Sequence, residues 1–286
     1  MKKRVFRLLS KVPPFSWLIA KLLLSDRRIL DLERGLRRLK AELAFPQSGD
    51  ALRALFVHLA PQRVVGRKKI RVGDMHDGGY VMLDDFAGIT QAYSLGIADN
   101  VSWDLAIAAR GIPVEQFDYS VSRSPVRHPR FRFHRAKVSR LSDILVSHAP
   151  GQLLKIDIEG SEWDFFADAP EGSLSVFNQI VGEFHDFDGY INPDWQQRAL
   201  RALRNLDETH QLIHLHDNTS TGSFAVEGVH VPALFEFTYV LRSAYKFEPT
   251  DEPFPGPLDG VNMPGQEGLS LEPLLKSSLF PKSSRP

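Results

Sequence analysis

From about residue 60 the chain alternates short apolar runs with longer segments of helical spacing, the signature of βαβ units and a parallel sheet. The pattern predicts a first strand over 92–97, a helix over 101–110 capped by Asn100 or Ser102, a second strand over 114–118 and a third near 131–133. A helix over 141–148, a fourth strand over 153–158 and a helix from Trp163 follow. Next come a fifth strand over 179–185 and a helix over 193–209. The apolar runs 211–216 and 234–240 lack a helix-length spacer and read as a final antiparallel pair. Beyond Glu248, prolines at 249, 253, 255, 257, 264 and 273 predict mostly loop.

The first 60 residues follow another pattern. Ile29, Leu32, Leu36, Leu39 and Leu43 recur at spacings of three and four, about two heptads of an amphipathic helix. Residues 1–44 hold twelve Lys/Arg against four Asp/Glu, a net of +8, although the whole chain is formally neutral. The apolar stretch 15–24 is interrupted by Lys21 and is too short to span a bilayer. Three readings stand: a helix laid on the protein's own core, a homo-oligomerisation helix, or a basic helix on an anionic membrane surface. The expected division is an N-terminal basic helical extension (1–60), an α/β domain (61–248) and a proline-rich tail (249–286). Neutral net charge argues against a general nucleic-acid binder. The absence of cysteine removes disulfides and thiolate chemistry and suits a cytoplasmic protein, peripheral at the inner membrane face if the basic helix is used that way.

Candidate chemistry gathers where strands are expected to end. The run from Leu153 to Trp163 delivers Asp157 and Glu159 to a strand end, followed by a glycine turn and a helix start. In an open parallel sheet ligands bind at that edge. Gly96 closes the first strand, and Asp118 lies 22 residues later at the end of the next, where an acid can accept the hydroxyls of an adenosine ribose. No G-x-G-x-x-G accompanies them, which favours a compact adenosyl ligand without phosphates; S-adenosyl-L-methionine is one, with Asp99 placed to meet its amino group. Asp77-Gly78-Gly79-Tyr80 predicts a tight turn before the first strand, with Tyr80 over a pocket. Strand alternation puts Glu183 with His185, and His214 with His216, on common faces. Asp157, Glu183, His185 and His216 are a candidate set for a divalent metal such as Mg. Asp157, His185 and His216 are the candidate catalytic groups, with His185 or His216 as a metal-free base and Asp157 as base, orienting group or substrate ligand. Lys155, inside a buried strand, is expected to reach solvent or to pair with Asp118 or Asp157.

Several of these motifs, in order, resemble the FkbM-type methyltransferase-like families: Asp77-Gly78-Gly79-Tyr80, Tyr93-Ser94-Leu95-Gly96, Phe117-Asp118, Leu154 to Glu162, and Glu183-Phe184-His185. The resemblance covers roughly residues 70–245. It implies a Rossmann-like seven-stranded, mostly parallel sheet with an antiparallel last strand, the class I methyltransferase fold. It also implies O-methylation of a sugar, glycolipid or secondary metabolite by S-adenosyl-L-methionine, with a cofactor-lining role for residues 77–80. Two departures are the glycine-poor turn after Leu95 and the N-terminal 60 residues, which the resemblance does not reach. The partner so implied is a small-molecule or glycan acceptor, whose pocket is expected in loops 119–130, 186–195 and 218–232, with Tyr190, Trp195 and Arg127. Two other classes compete: a non-catalytic scaffold that keeps the fold, and a metal-dependent hydrolase, which lacks a G-x-S-x-G nucleophile elbow here.

Overall fold

The computed structural model describes residues 49–144, 149–262 and 268–280. Helix α1 (Gly49–Phe56) precedes three short strands, β1 (Gln62–Val64), β2 (Lys69–Val72) and β3 (Tyr80–Leu83). Then come β4 (Gln91–Leu95), α2 (Ser102–Ala108), β5 (Val114–Phe117), β6 (Phe131–His134) and β7 (Gln152–Ile156). Helix α3 (Glu162–Ala167), β8 (Phe177–Phe184), α4 (Pro193–Thr209) and β9 (His210–Asp217) follow. A hairpin of β10 (Ser223–Val226) and β11 (Val229–Pro232) leads to β12 (Phe235–Leu241), β13 (Phe247–Pro249) and the single turn α5 (Glu272–Leu275).

Seven strands form one sheet in the order β6-β5-β4-β7-β8-β12-β9. Strands β6, β5, β4, β7 and β8 are mutually parallel, and β12 runs antiparallel between β8 and β9. The protein is thus a mixed α/β structure with a mostly parallel central sheet, compatible with a Rossmann-like fold. The chain moves outward from β4 through β5 to β6, then returns to the far side of β4 with β7. That reversal opens a crevice at the carboxyl ends of β4 and β7, the place where open α/β sheets bind ligands.

The two faces of the sheet differ in chemistry. One is aromatic: Trp163 stacks on Phe184 at 4.5 Å and Phe184 on Phe237 at 3.9 Å, with helices α3 and α4 above them. Helix α4 starts as its sequence dictates, with Asn192 Oδ1 accepting from the Asp194 and Trp195 amides and Pro193 in the first turn. It buries Ala199, Ala202, Leu203 and Leu206. The other face is partly polar and carries the antiparallel pair β2–β3. Gln179 exchanges hydrogen bonds with both backbone groups of Leu83, and Thr238 donates to the Val81 carbonyl.

Helix 193–209 and the final antiparallel pair lie where the pattern puts them. Strands β4, β5 and β7 stop one or two residues early, which leaves Gly96, Asp118 and Asp157 in the turns beyond. The helix expected over 141–148 is a 3-10 turn at Leu141–Asp143; 145–148 lie outside the described residues. In α1 Leu52, Leu55 and Phe56 are fully buried, and Phe56 stacks on Phe280 at 4.5 Å. The heptad segment lies outside the described residues. The proline-rich segment is less of a tail than expected: β13 pairs with β1, and Leu271, Leu274, Leu279 and Phe280 are buried. Among the described residues no helix is long and apolar enough to cross a membrane.

His210 ties β9 to β8. Its Nε2 donates to the Phe177 carbonyl at 2.9 Å and its Nδ1 lies 2.8 Å from the Thr209 hydroxyl. Burial lowers its pKa to about 4. A buried neutral imidazole stabilises the fold above the unfolded value near 6.5, and that contribution is lost as pH falls toward 4. Urea unfolding at pH 7 and pH 5 is expected to show about 2 kcal/mol of pH-dependent loss in the parent that is missing from His210→Gln. Equal slopes in the two proteins would refute the assignment.

Candidate functional site

A cleft of about 340 Å³ lies at the carboxyl ends of β4, β5 and β7. The turn after β4, from Gly96 to Asn100, forms one wall. Phe117 to Ser120 and Ala136 to Val138 form a second, and Lys155, Asp157 to Glu159 and Ser161 a third. Asp77 and Gly78 close the rim.

Gly96 has φ +73, and a Cβ there would stand 1.7 Å from the Asp157 carbonyl oxygen. Only glycine fits, because the β4 and β7 backbones nearly touch at this point. The Lys155 ammonium donates to the Gly96 carbonyl, so this buried lysine pairs with neither Asp118 nor Asp157 but braces the turn. Asp118 braces it from the other side. Its Oδ2 accepts from the Ile97 and Ala98 amides at 3.0 and 2.9 Å, and its Oδ1 from the Ser120 amide and hydroxyl at 2.6 and 2.7 Å. Burial would raise this carboxyl, but these hydrogen bonds outweigh it and hold it below the usual range. All four of its acceptor positions are taken within the protein.

The turn at 77–79 serves packing as much as the cleft. Asn100 Nδ2 donates to the Asp77 carbonyl at 2.7 Å, and the Ser102 hydroxyl donates to that of Gly78 at 3.1 Å. Gly79 and Tyr80 are absent from the cleft wall, contrary to expectation. A Cβ on Gly79 would meet the Asp74 carbonyl at 1.9 Å, and Tyr80 begins β3 inside the core with Val72, Trp103 and Leu153. Asp99 is exposed on the cleft wall.

At the β7 end the acids meet a histidine. His185 Nε2 lies 3.3 Å from Glu183 Oε2, 3.8 Å from Glu159 Oε2 and 3.9 Å from Asp157 Oδ1. Its Nδ1 is 3.1 Å from Oε1 of the fully buried Glu162. Glu162 also accepts from the Ile158 and Gly160 amides at 2.6 and 2.9 Å, fixing the loop that presents Asp157 and Glu159. Burial would lower His185, but the hydrogen bond it donates to Glu162 and the charges of Glu162, Glu183 and Asp157 raise it to about 10. The surrounding carboxylates thus favour the protonated ring, the form of a counter-charge rather than of a base. Burial and the neighbouring Asp157 push Glu183 well above the ordinary carboxyl range. Asn218 Nδ2 donates to Glu183 Oε1 at 2.8 Å. Ala98, Glu159 and Asp186, at or beside this loop, all have positive φ, a strain of about 1–3 kcal/mol each that clusters at functional sites.

Asp157, Glu159 and His185 each offer a ligand atom, all within 4.8 Å of one another. This differs from the expected metal set, since Glu159 joins and neither Glu183 nor His216 does. Glu183, Glu236 and His216 form one cross-strand row over β8, β12 and β9. His216 is therefore two strand spacings from β8, roughly 10 Å away. Its Nε2 is 3.0 Å from the Gly260 carbonyl, and Asp259 binds His214 Nε2 at 2.7 Å. Glu236, held by Asn262, is raised by burial to about 7. This second polar group depends on Asp259 and Asn262, in a segment read from sequence as loop. Tyr190 stacks on Phe224 at 5.3 Å and Trp195 packs on Trp163 at 5.0 Å, so both aromatics serve the core and not an acceptor pocket.

No family model matches the chain, and no curated protein does. Gly96→Ala is expected to cost at least about 3 kcal/mol, because the methyl meets backbone at a positive φ. Thermal unfolding checks this, and an unchanged Tm would refute the close approach.

Proposed function

We propose that this protein is a class I S-adenosyl-L-methionine-dependent methyltransferase acting on a hydroxyl of a small molecule or glycan. One observation carries the reading: Asp77, Gly96, Asp118 and the pair Asp157 and Glu159 come from four separate motifs, yet all line one cleft at the switch point of the sheet. Within the seven-stranded sheet the last strand in chain order, β12, is antiparallel to its neighbours, which supports the reading. The cleft volume falls within the range of small-molecule sites.

The Gly96 turn would hold the adenosyl group, Asp118 Oδ1 its ribose in place of the Ser120 hydroxyl with the backbone bonds to Oδ2 kept, and Asp99 its amino group. The acceptor oxygen attacks the methyl carbon in line, the carbon–sulfur bond breaks, S-adenosylhomocysteine departs, and the hydroxyl proton passes to Asp157. His185 holds Asp157 and Glu183 in place as their counter-charge. A second reading of the chemistry has a divalent cation on Asp157, Glu159 and His185 acidifying the hydroxyl, favoured by the convergence of their ligand atoms.

Titration calorimetry with S-adenosyl-L-methionine is expected to give a micromolar Kd; no heat at several hundred micromolar would overturn the reading. Asp157→Asn is expected to bind the cofactor within a few-fold of the parent and to lose about 100-fold or more in turnover. The assay is methyl transfer to nucleotide sugars and lipid-linked glycans. Activity that survives a chelator would remove the cation.

A further inference from the structure

Between Tyr119 and Arg140 the chain carries seven Lys/Arg and no Asp/Glu. All seven, from Arg123 to Arg140, are exposed. Among the described residues the ion pair of this stretch joins His134 to Glu115 and leaves the seven without a carboxylate partner. The stretch forms the outer edge of the sheet, since β6 is the edge strand. Residues 118–130 run from the carboxyl end of β5 back to the start of β6 without a helix, so their charges extend along the strand, roughly 13 Å. Residues 135–140 continue beyond its carboxyl end, where Ala136, Lys137 and Val138 form a wall of the Gly96 cleft.

Protection of an exposed edge against strand addition explains cations on β6 or directly beside it, such as Arg130 and Arg132. With Arg135, which directly follows the strand, that covers three; it does not explain the four in the loops, Arg123, Arg127, Lys137 and Arg140. A binding site for a single soluble phosphate needs donors that converge, whereas of the seven Lys137 alone stands on the wall of the Gly96 cleft. The charges are spread, which suits an extended anionic plane. Exposed apolar side chains accompany them: Tyr119 is 61% and Val126 38% exposed, and Lys137 Nζ lies 5.9 Å from the Tyr119 ring. Aromatic rings beside cations are the usual composition of a lipid-interface contact. The first 44 residues, with a net charge of +8 and the apolar run 15–24, add a second segment of that composition to the sequence.

We propose that the β6 edge, residues 119–140, is a docking surface for an anionic lipid bilayer, placing the cleft mouth beside the membrane. The surface is inferred from charge and exposure alone. Its corollary, that the methyl acceptor is carried on a membrane lipid, rests on the methyltransferase reading.

Sedimentation of the full chain with vesicles tests the surface. Binding is expected to phosphatidylcholine vesicles that contain phosphatidylserine and not to phosphatidylcholine alone, and it weakens as salt rises. Neutralising three exposed cations together (Arg127→Gln, Arg130→Gln, Arg132→Gln) is expected to weaken binding roughly 100-fold. The corresponding triple Lys variant is expected to retain it. Equal binding to neutral vesicles would overturn the proposal, as would a triple Gln variant that binds like the parent. So would a triple Lys variant as weak as the Gln one, or competition by millimolar inorganic phosphate beyond its ionic strength, either of which marks a point phosphate site. Tighter binding to a single-stranded oligonucleotide than to anionic vesicles would assign the surface to nucleic acid instead. Calorimetry with S-adenosyl-L-methionine reads the cleft separately, so failure of either inference leaves the other distinguishable.

Discussion

The carbonyl of Asp157 occupies the space where any side chain at position 96 would begin. That contact brings the ends of β4 and β7 together and makes the turn after one strand and the acidic loop after the other a single surface. The turn is then held by charges on both flanks, the Lys155 ammonium on its carbonyl and the Asp118 carboxylate on its next two amides. Both side chains are buried, and each is satisfied by backbone. A charge buried without such partners would cost several kcal/mol, so the turn and its braces stabilise one another or neither persists. The cleft is preorganised in this sense: its floor is built from bonds made within the protein.

The acidic loop is arranged differently. Glu162 fixes it through two backbone amides, and the loop presents Asp157 and Glu159 to the His185 ring. One imidazole stands among four carboxylates, and burial with repulsion from Asp157 raises Glu183. Like charges 3–4 Å from a shared histidine leave the loop short of positive charge, and the left-handed backbone at Glu159 keeps that residue turned into the group. The protonated form of His185 offsets part of that negative charge.

Much of this was legible in the chain. The succession of strands and helices along the chain followed from apolar runs separated by helix-length segments, and the long helix over 193–209 announced itself through Asn192-Pro193 and its apolar spacing. The strand-end residues Gly96, Asp118, Asp157 and His185 were found because strand alternation and chain position point to them. Their roles were not. Asp118 has the location of a ribose acceptor, but only the structure reveals that backbone and Ser120 fill its oxygens. His216 has the right strand and the right face, and fails because β12 is inserted between β8 and β9, which no local pattern reports. Tyr80, beside two glycines, suggested a pocket; it opens a four-residue strand too short to produce a periodic signal. Asp259 and Asn262 lie in a segment whose prolines mark turns but say nothing of where the turns lead.

Formal net charge is a coarse descriptor for a related reason. A sum of zero describes neither the basic first 44 residues nor the seven unopposed cations of 119–140; together these leave a charge of −15 on the remainder. Fields decay over about 8–10 Å at ordinary ionic strength, so charges further apart do not cancel for a partner at the surface. The acidic loop and the basic edge lie on opposite walls of one cleft. A ligand entering there meets cations at the β6 side and carboxylates at the β7 side. A molecule that is anionic at one end and neutral or cationic at its reacting end is oriented by that gradient before it makes any specific contact.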